Sequence, residues 1–229
     1  MGEKKIVAAV FAHPDDETLG CGATLAKMAD ESHEVHIIVC GEGITARYDN
    51  PAQATSEELA SLDASLHRAA EIIGAQSVHH LDWPDNRFDS RPLLDLTKAI
   101  EKILGNLAPQ VVFTQHGGDL NLDHQYVNRA VMAACRPLPG RSVREIYGCE
   151  VLSATGWLGP TAAPFLPTRY VDISSTLQRK IDAMAAYDSE SAPFPHPRSP
   201  EAIRAQAMLR GTESGLHAAE AFMVLRQIG

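Results

Sequence analysis

The chain has 229 residues, of which 45% are hydrophobic and 21% are charged, as in an ordinary globular protein. Its formal net charge of −9, with no block of Lys or Arg, argues against a surface for nucleic acid or for an anionic membrane. No apolar run approaches the roughly 20 residues that a membrane-spanning helix needs. The sequence therefore predicts no membrane span and a cytoplasmic protein.

The first two thirds of the chain alternate between apolar runs and segments with helical spacing. Strands are predicted at 5–12, 34–41, 77–83, 110–116 and 144–151, and helices at 17–30, 55–74, 92–107 and 123–135. The first apolar run leads straight into charged residues and lacks a small-x-small cleavage site, which favours a strand over a signal peptide. This alternation predicts an α/β fold, with a Rossmann-like, mostly parallel sheet and helices on both faces.

The remaining part of the chain, about 152–229, is less regular. It contains two Pro-rich stretches (159–167 and 191–200), the segment RYVDIS, two predicted helices (about 175–187 and 200–210) and a candidate last strand (221–227). No repeat, low-complexity segment or linker divides the sequence. We therefore predict a single domain over 1–229, in which this irregular part packs on the sheet.

The four cysteines are Cys21, Cys40, Cys135 and Cys149. None forms a Cys-x-x-Cys pair, and each lies in a predicted helix or strand. This spacing argues against a thiolate zinc site and against a disulfide framework. We predict four buried free thiols.

Polar clusters directly follow the first four predicted strands. They are AHPDDE, GEGITAR, DWPDNRFD and HGGDLNLDH, in chain order. Because the carboxyl ends of parallel strands share one edge of a sheet, and ligands bind there, these clusters are expected to meet. The loops at the opposite edge carry no comparable density of His and Asp. The sequence thus places its chemistry at one edge.

The AHPDDE cluster puts three carboxylates in a row, which repel one another and are costly to desolvate. Helix capping explains one or two of them but not His13. His13 and Asp16 can converge on one ion across a tight turn, and His124 can supply a third ligand from the fourth strand end. Two histidines and one carboxylate leave an open position for water, as hydrolytic zinc sites require. Zn²⁺ is therefore the expected cofactor, although Fe²⁺ suits the same ligands.

These motifs resemble the PIG-L/LmbE family of metal-dependent N-deacetylases. The resemblance rests on AHPDDE, on HRAAEIIGAQSVHHLDWPDNRF, on DLNLDH and on two tail segments, YDSE and HPRS. It implies that His13, Asp16 and His124 bind the metal and that Asp15 is the general base. It further implies removal of the N-acetyl group from an amino sugar or its conjugate, such as a glycolipid, a nucleotide sugar or a small-molecule glycoside. Family members often form trimers or hexamers, so a homo-oligomer is also expected.

One position departs from the family pattern. Many members have an H-P-D-H sequence whose first histidine stabilises the oxyanion, whereas this chain has N-L-D-H and Asn121 at that place. An Asn side chain donates a hydrogen bond but cannot give up a proton. His116 and His196 are two further candidates for this catalytic role.

Four further residues are candidates for the site, and two of them also have a structural interpretation. Asp123 is a candidate for orienting a ligand imidazole, or else for capping the following helix. Arg47 is a candidate clamp for a sugar hydroxyl or a phosphate, or else a solvated surface side chain. His196 and Arg198 precede a helix-start sequence that does not need them, so both are hypothesised to bind substrate.

Competing functions follow from the same features. A dinucleotide-binding enzyme is disfavoured, because the only nearby G-x-G lies inside a helix and the HPDDE charges would repel a pyrophosphate. An amidase for a larger acyl group, such as a thiol-sugar conjugate, stays open because the metal motif does not encode the acyl pocket. A non-catalytic metal-binding scaffold also stays open, although Asp15 would then be a redundant carboxylate.

Overall fold

The computed structural model describes residues 3–229. Its strands are β1 (Ile6–Phe11), β2 (Glu34–Gly41), β3 (Ser77–Trp83), β4 (Val111–Gln115), β5 (Glu145–Cys149), β6 (Arg169–Asp172) and β7 (Ala219–Gln227). Its helices are α1 (Asp16–Asp30), α2 (Ser56–Ile73), α3 (Leu93–Leu107), α4 (Leu122–Ala134), α5 (Leu177–Ala185) and α6 (Pro200–Ser214).

The seven strands form one sheet in the order β3-β2-β1-β4-β5-β7-β6. Strands β1 to β5 are parallel, and β7 pairs antiparallel with both β5 and β6. The strand order reverses direction on either side of β1, where β2 and β4 flank it. Such a switch point opens a crevice at the carboxyl ends of the strands, which is where a ligand site is expected.

Helices cover both faces of the sheet. One buried core joins α1, α2 and α5 to the sheet through side chains such as Val7 and Phe11 of β1. A second core joins α3 and α4 to the other face through Ala8 and Val10. Because successive side chains of β1 enter different cores, the strand is apolar throughout. The predicted fold class is confirmed.

The last third of the chain completes the sheet, and two details differ from the predictions. RYVDIS contains the strand β6, which is too short for a pattern to identify and is held by its pairing with β7. Helix α6 continues through Gly211 to Ser214 and is capped by Gly215, which has a positive φ of 73°. Gly211 does not end the helix. It packs against the backbone of Leu216, where a Cβ would come within 2.6 Å of the carbonyl oxygen.

All four cysteines are buried and free, as predicted. Within residues 3–229, no helix has the length and apolar character needed to cross a membrane.

Helix α1 is interrupted at Cys21, whose φ of −152° and ψ of 15° lie outside the helical range. An interrupted helix leaves backbone amides without intrahelical partners. The carboxylate of Glu220, on β7, accepts hydrogen bonds from the amides of Ala23 (3.2 Å) and Thr24 (2.7 Å). A side chain from a distant strand thus caps the second half of α1.

Lys180, on α5, completes this arrangement. Its Nζ donates to the carbonyl of Leu19 at 2.7 Å and lies 2.7 Å from Oε1 of Glu220. The side chains of Lys180 and Glu220 are only 4% and 5% exposed, so the two charges compensate each other in the interior. The pair connects α1, α5 and β7.

Candidate active site

The AHPDDE turn joins the end of β1 to the start of α1. Asp15 occupies the position before the helix with a φ of 104°, a left-handed conformation that is uncommon for a residue with a side chain. Its carboxylate makes no capping hydrogen bond to the helix, so capping does not account for this acid. Glu17 Oε2 accepts a hydrogen bond from the Asp15 amide at 3.1 Å, which holds the turn.

Three side chains from two strand ends converge in this turn. Asp16 Oδ2 lies 3.3 Å from His13 Nδ1 and 3.2 Å from His124 Nε2, at the start of α4. Atoms bound to one tetrahedral zinc ion at about 2.0–2.1 Å are separated by roughly 3.3 Å. The spacing and the donor set of two imidazoles and one carboxylate therefore fit a divalent metal ion.

These buried charged groups shift one another's pKa. Burial alone would raise the pKa of Asp16, but His124 and His13 lower the pKa of this carboxyl far below its usual range. Burial likewise opposes protonation of His124, yet Asp16 and Asp119 raise the pKa of this imidazole to about 9. A buried carboxylate that stabilises the protonated forms of two imidazoles is suited to bind a metal cation. Metal binding would release the protons of these imidazoles.

Each imidazole is oriented by a carboxylate on its other nitrogen. His124 Nδ1 lies 2.9 Å from Asp119 Oδ2, and His13 Nε2 lies 3.0 Å from Asp123 Oδ2. Such partners fix the tautomer and direction of a metal ligand. Asp85 Oδ1 also lies 3.4 Å from His13 Nε2. The His13 ring therefore has Asp123 and Asp85 near Nε2 and Asp16 near Nδ1.

Asp123 does not cap α4, the structural role considered for it from the sequence. Helix α4 begins at Leu122, and its cap is Asn121, whose Oδ1 accepts from the Asp123 amide at 2.8 Å. The Asp123 carboxylate faces away from the helix amides and accepts instead from the Phe88 amide at 3.1 Å. Asp123 is therefore not the helix cap.

Asn121 borders the cavity and has a donor to spare. Its Nδ2 donates to Asn86 Oδ1 at 2.9 Å, and because an amide nitrogen carries two hydrogens, one remains for a ligand. His116 is placed differently, with its Nε2 turned to the carbonyl of Ala163 at 2.8 Å. His196 also points elsewhere, since its Nδ1 accepts from the Arg198 amide at 3.2 Å. Neither histidine lines the cavity.

The candidate residues surround a cavity of about 530 Å³ at the carboxyl ends of the strands. His13, Asp15, Asp16, Asn121, His124, Arg47 and Arg198 line it. This volume lies within the usual range of small-molecule sites. The structure therefore brings the three predicted ligands, Asp15 and both arginines into one chamber.

Asp15 is almost fully buried and contacts an arginine. Its Oδ2 lies 2.5 Å from Nε of Arg198, and its Oδ1 has no hydrogen-bond partner among residues 3–229. Burial raises the pKa of the Asp15 carboxyl well above its usual range, although Arg198 acts in the opposite direction. A cavity-facing carboxylate with a raised pKa is suited to exchange a proton with substrate or water.

The sequence analysis assigned no role to three supporting residues. Gln115, at the end of β4, donates to Asp16 Oδ2 at 2.8 Å and accepts from the Ala12 amide at 3.1 Å. Tyr187 donates to Glu17 Oε1 at 2.8 Å, which anchors the carboxylate that holds Asp15. Glu190 pairs with Arg47 at the cavity wall. Gln115 is visible in the sequence as a polar side chain at the end of an apolar strand, and Tyr187 and Glu190 begin and end the YDSE segment.

Asp119→Asn is expected to weaken metal binding by roughly 10–100-fold, because the amide no longer orients and polarises His124. The second oxygen of Asp119 accepts from the Thr155 hydroxyl at 2.6 Å, so the wild-type carboxylate is held in place from both sides. Metal affinity would be measured by competition with a chromophoric chelator. Asp82→Asn, an exposed position on β3, is the control. Equal metal affinities for the two variants would contradict the orienting role.

The chain is similar in sequence to a known protein family and to individual proteins. A family model described as "PIG-L: GlcNAc-PI de-N-acetylase" matches residues 8–135. The "Uncharacterized deacetylase YaiS" of Escherichia coli (strain K12) is 31% identical over 161 residues, covering 68% of this chain and 78% of that protein. The 1D-myo-inositol 2-acetamido-2-deoxy-alpha-D-glucopyranoside deacetylase of Mycolicibacterium smegmatis is 26% identical, covering 83% and 81%.

The fold is also similar to that of a solved structure. The conserved protein TT1542 from Thermus thermophilus superposes with a TM-score of 0.75 and 26% sequence identity. The match covers 97% of this chain and 95% of that one, so the similarity includes the last third of the chain as well as the first.

Proposed function

The chain belongs to the PIG-L family, and from this premise we propose that it is a metal-dependent N-deacetylase acting on an N-acetylated amino sugar or its conjugate. The observation that carries the proposal is the convergence of His13, Asp16 and His124 beside the unpartnered Oδ1 of Asp15 in one cavity. Deacetylases among the relatives support the same reaction class.

The metal would be held by His13, Asp16 and His124, with Zn²⁺ as the proposed ion. Zinc favours four ligands of this kind, and three protein ligands leave one position open for chemistry. A bound divalent cation supplies a water of lowered pKa and polarises the acetyl carbonyl. Fe²⁺ accepts the same donors, so the reconstitution below includes both metals.

Asp15 is the proposed general base. Its Oδ1 takes a proton from the attacking water, and the oxygen of that water forms a bond to the acetyl carbon. As the C–N bond of the amide breaks, Asp15 returns the proton to the departing nitrogen, giving a free amine and acetic acid, which loses its remaining proton to solvent as acetate. The contact with Arg198 holds Oδ2 of the carboxylate and leaves Oδ1, which has no hydrogen-bond partner among residues 3–229, to accept the proton.

Asn121 is the proposed donor to the oxyanion. Its amide is immobilised because it caps α4 and bonds to Asn86, and a preorganised donor stabilises charge as it develops. Asn121 cannot donate a proton, which leaves proton delivery to Asp15. A scaffold without catalysis gives no reason for a buried, strained carboxylate facing the cavity.

Treating the protein with a chelator is expected to abolish amine release from N-acetylglucosaminyl inositol, because the three ligands hold the ion that activates water. Adding Zn²⁺ back should restore the activity, and Fe²⁺ added without oxygen is the comparison. Amine is measured with an amine-reactive fluorophore, and metal content is measured in the same samples. Full activity in chelator-treated, metal-free protein would contradict the proposal.

A further inference from the structure

The cations that line the cavity are both paired. Among the lining residues, the positively charged side chains other than histidine are Arg47 and Arg198. Arg198 contacts Asp15, and Arg47 contacts Glu190 and also donates to the carbonyl of Ser189 at 3.5 Å. Each guanidinium therefore already has a carboxylate neighbour that offsets its charge.

The carboxylates of the cavity outnumber these arginines. Asp15, Asp16, Asp85 and Glu190 all line it. Four carboxylates facing two arginines leave an excess of negative charge that a bound dication would only neutralise. The whole chain carries a net charge of −9, so no distant field offsets this balance.

The remaining polar groups of the wall are neutral. Asn86, Asn121 and Ser153 offer amide and hydroxyl groups, which exchange hydrogen bonds with sugar hydroxyls. The N-terminus of α4 also borders the cavity, but Asn121 already caps it. Trp157 and Leu120 add apolar surface at the wall. This set suits a carbohydrate without charged substituents.

We propose that the cavity selects N-acetylated amino-sugar glycosides whose second half is uncharged, and discriminates against those carrying a phosphate or a carboxylate. This inference rests on the proposed function and deepens it by naming the substrate class. A phosphate entering the cavity meets carboxylates and two arginines whose charges these carboxylates already offset, so the wall side chains do not compensate for the loss of its hydration shell.

Glu190 is the residue that sets this preference. Its side chain is only 10% exposed and neutralises Arg47, which would otherwise be the natural partner of a phosphate at the cavity wall. Removing the Glu190 charge frees Arg47 and reduces the negative charge around Arg198. The discrimination against anions should therefore decrease in Glu190→Gln.

The test compares two substrates that differ in one group, N-acetylglucosaminyl inositol and the same glycoside with a phosphate on the inositol. With metal-loaded wild-type protein, kcat/KM is expected to favour the neutral glycoside by roughly tenfold or more. In Glu190→Gln this ratio should fall about fivefold or more. Glu101→Gln removes the same charge from a surface pair with Arg141 and should leave the ratio unchanged.

Equal or better turnover of the phosphate glycoside by the wild type would overturn the inference while leaving the deacetylase function standing. An unchanged ratio in Glu190→Gln would overturn the part assigned to Glu190. Binding is measured in parallel by calorimetry. The ligands are glucosyl inositol and glucosyl inositol phosphate, which match the two substrates but have no amide bond to hydrolyse. If neither glycoside is hydrolysed, the proposed function fails, and the calorimetric ratio still decides whether the cavity prefers the neutral ligand.

Discussion

Replacing Asp15 with Asn is expected to lower the rate of amine release by roughly 10²–10⁴-fold while the metal stays bound. The amide has nearly the same size as the carboxylate but cannot accept the proton of the attacking water. His13, Asp16 and His124 do not depend on the Asp15 side chain for their mutual positions, so metal content should match that of the wild type. Rate and metal content would be measured on the same preparation.

The control for this variant is Asp30→Asn. Asp30 ends α1, far from the cavity along the same helix, and pairs with Arg179 at the surface. Its rate should stay within about twofold of wild type, as exposed ion pairs contribute little. A fully active Asp15→Asn protein would remove Asp15 from the mechanism. Loss of metal along with activity would instead make Asp15 a part of the metal site.

Lys180→Met is expected to destabilise the protein by about 3–5 kcal/mol, since it leaves the buried Glu220 carboxylate without its counter-ion. For a chain of this length, that loss lowers Tm by roughly 6–20 °C. The carboxylate keeps the amides of Ala23 and Thr24, but these neutral donors do not replace a full positive charge. Denaturant titration and calorimetry measure the change.

Lys4→Met is the matched control, because Lys4 forms a 2.8 Å ion pair with Glu34 at the surface. Its free energy of unfolding should change by no more than about 0.5 kcal/mol. In the double variant Lys180→Met/Glu220→Gln, both buried charges are gone and part of the stability should return. Equal stabilities for Lys180→Met and Lys4→Met would show that the interior pair does not hold α1 together.

The fold could be predicted because its main signals are local. Through the first two thirds of the chain, apolar strands alternate with helices that have one apolar face and glycines at helix ends. The predicted strand boundaries at 34–41 and 77–83 match the structure. The strand β6 could not be found this way. Its four residues become a strand only by pairing with β7, and that pairing is a tertiary interaction.

The site residues also divide into those that local sequence predicts and those that only the tertiary structure brings together. His13, Asp15 and Asp16 lie in one short motif, so their proximity follows from the chain itself. His124 could be added because parallel strands end at one edge. The contact between Arg198 and Asp15, by contrast, depends on how a loop of the last third folds over the cavity, which no spacing encodes. Homo-oligomer formation stays a prediction from the family resemblance.

The most direct test of the deacetylase account is to follow one reaction in water enriched in heavy oxygen. Metal-loaded protein is mixed with N-acetylglucosaminyl inositol, and both products are analysed by mass spectrometry. The account predicts that acetate and free amine appear in equal amounts and that the acetate carries the heavy oxygen, since water attacks the acetyl carbon. A glycoside recovered intact, or a sugar released with its acetyl group still attached, would contradict it.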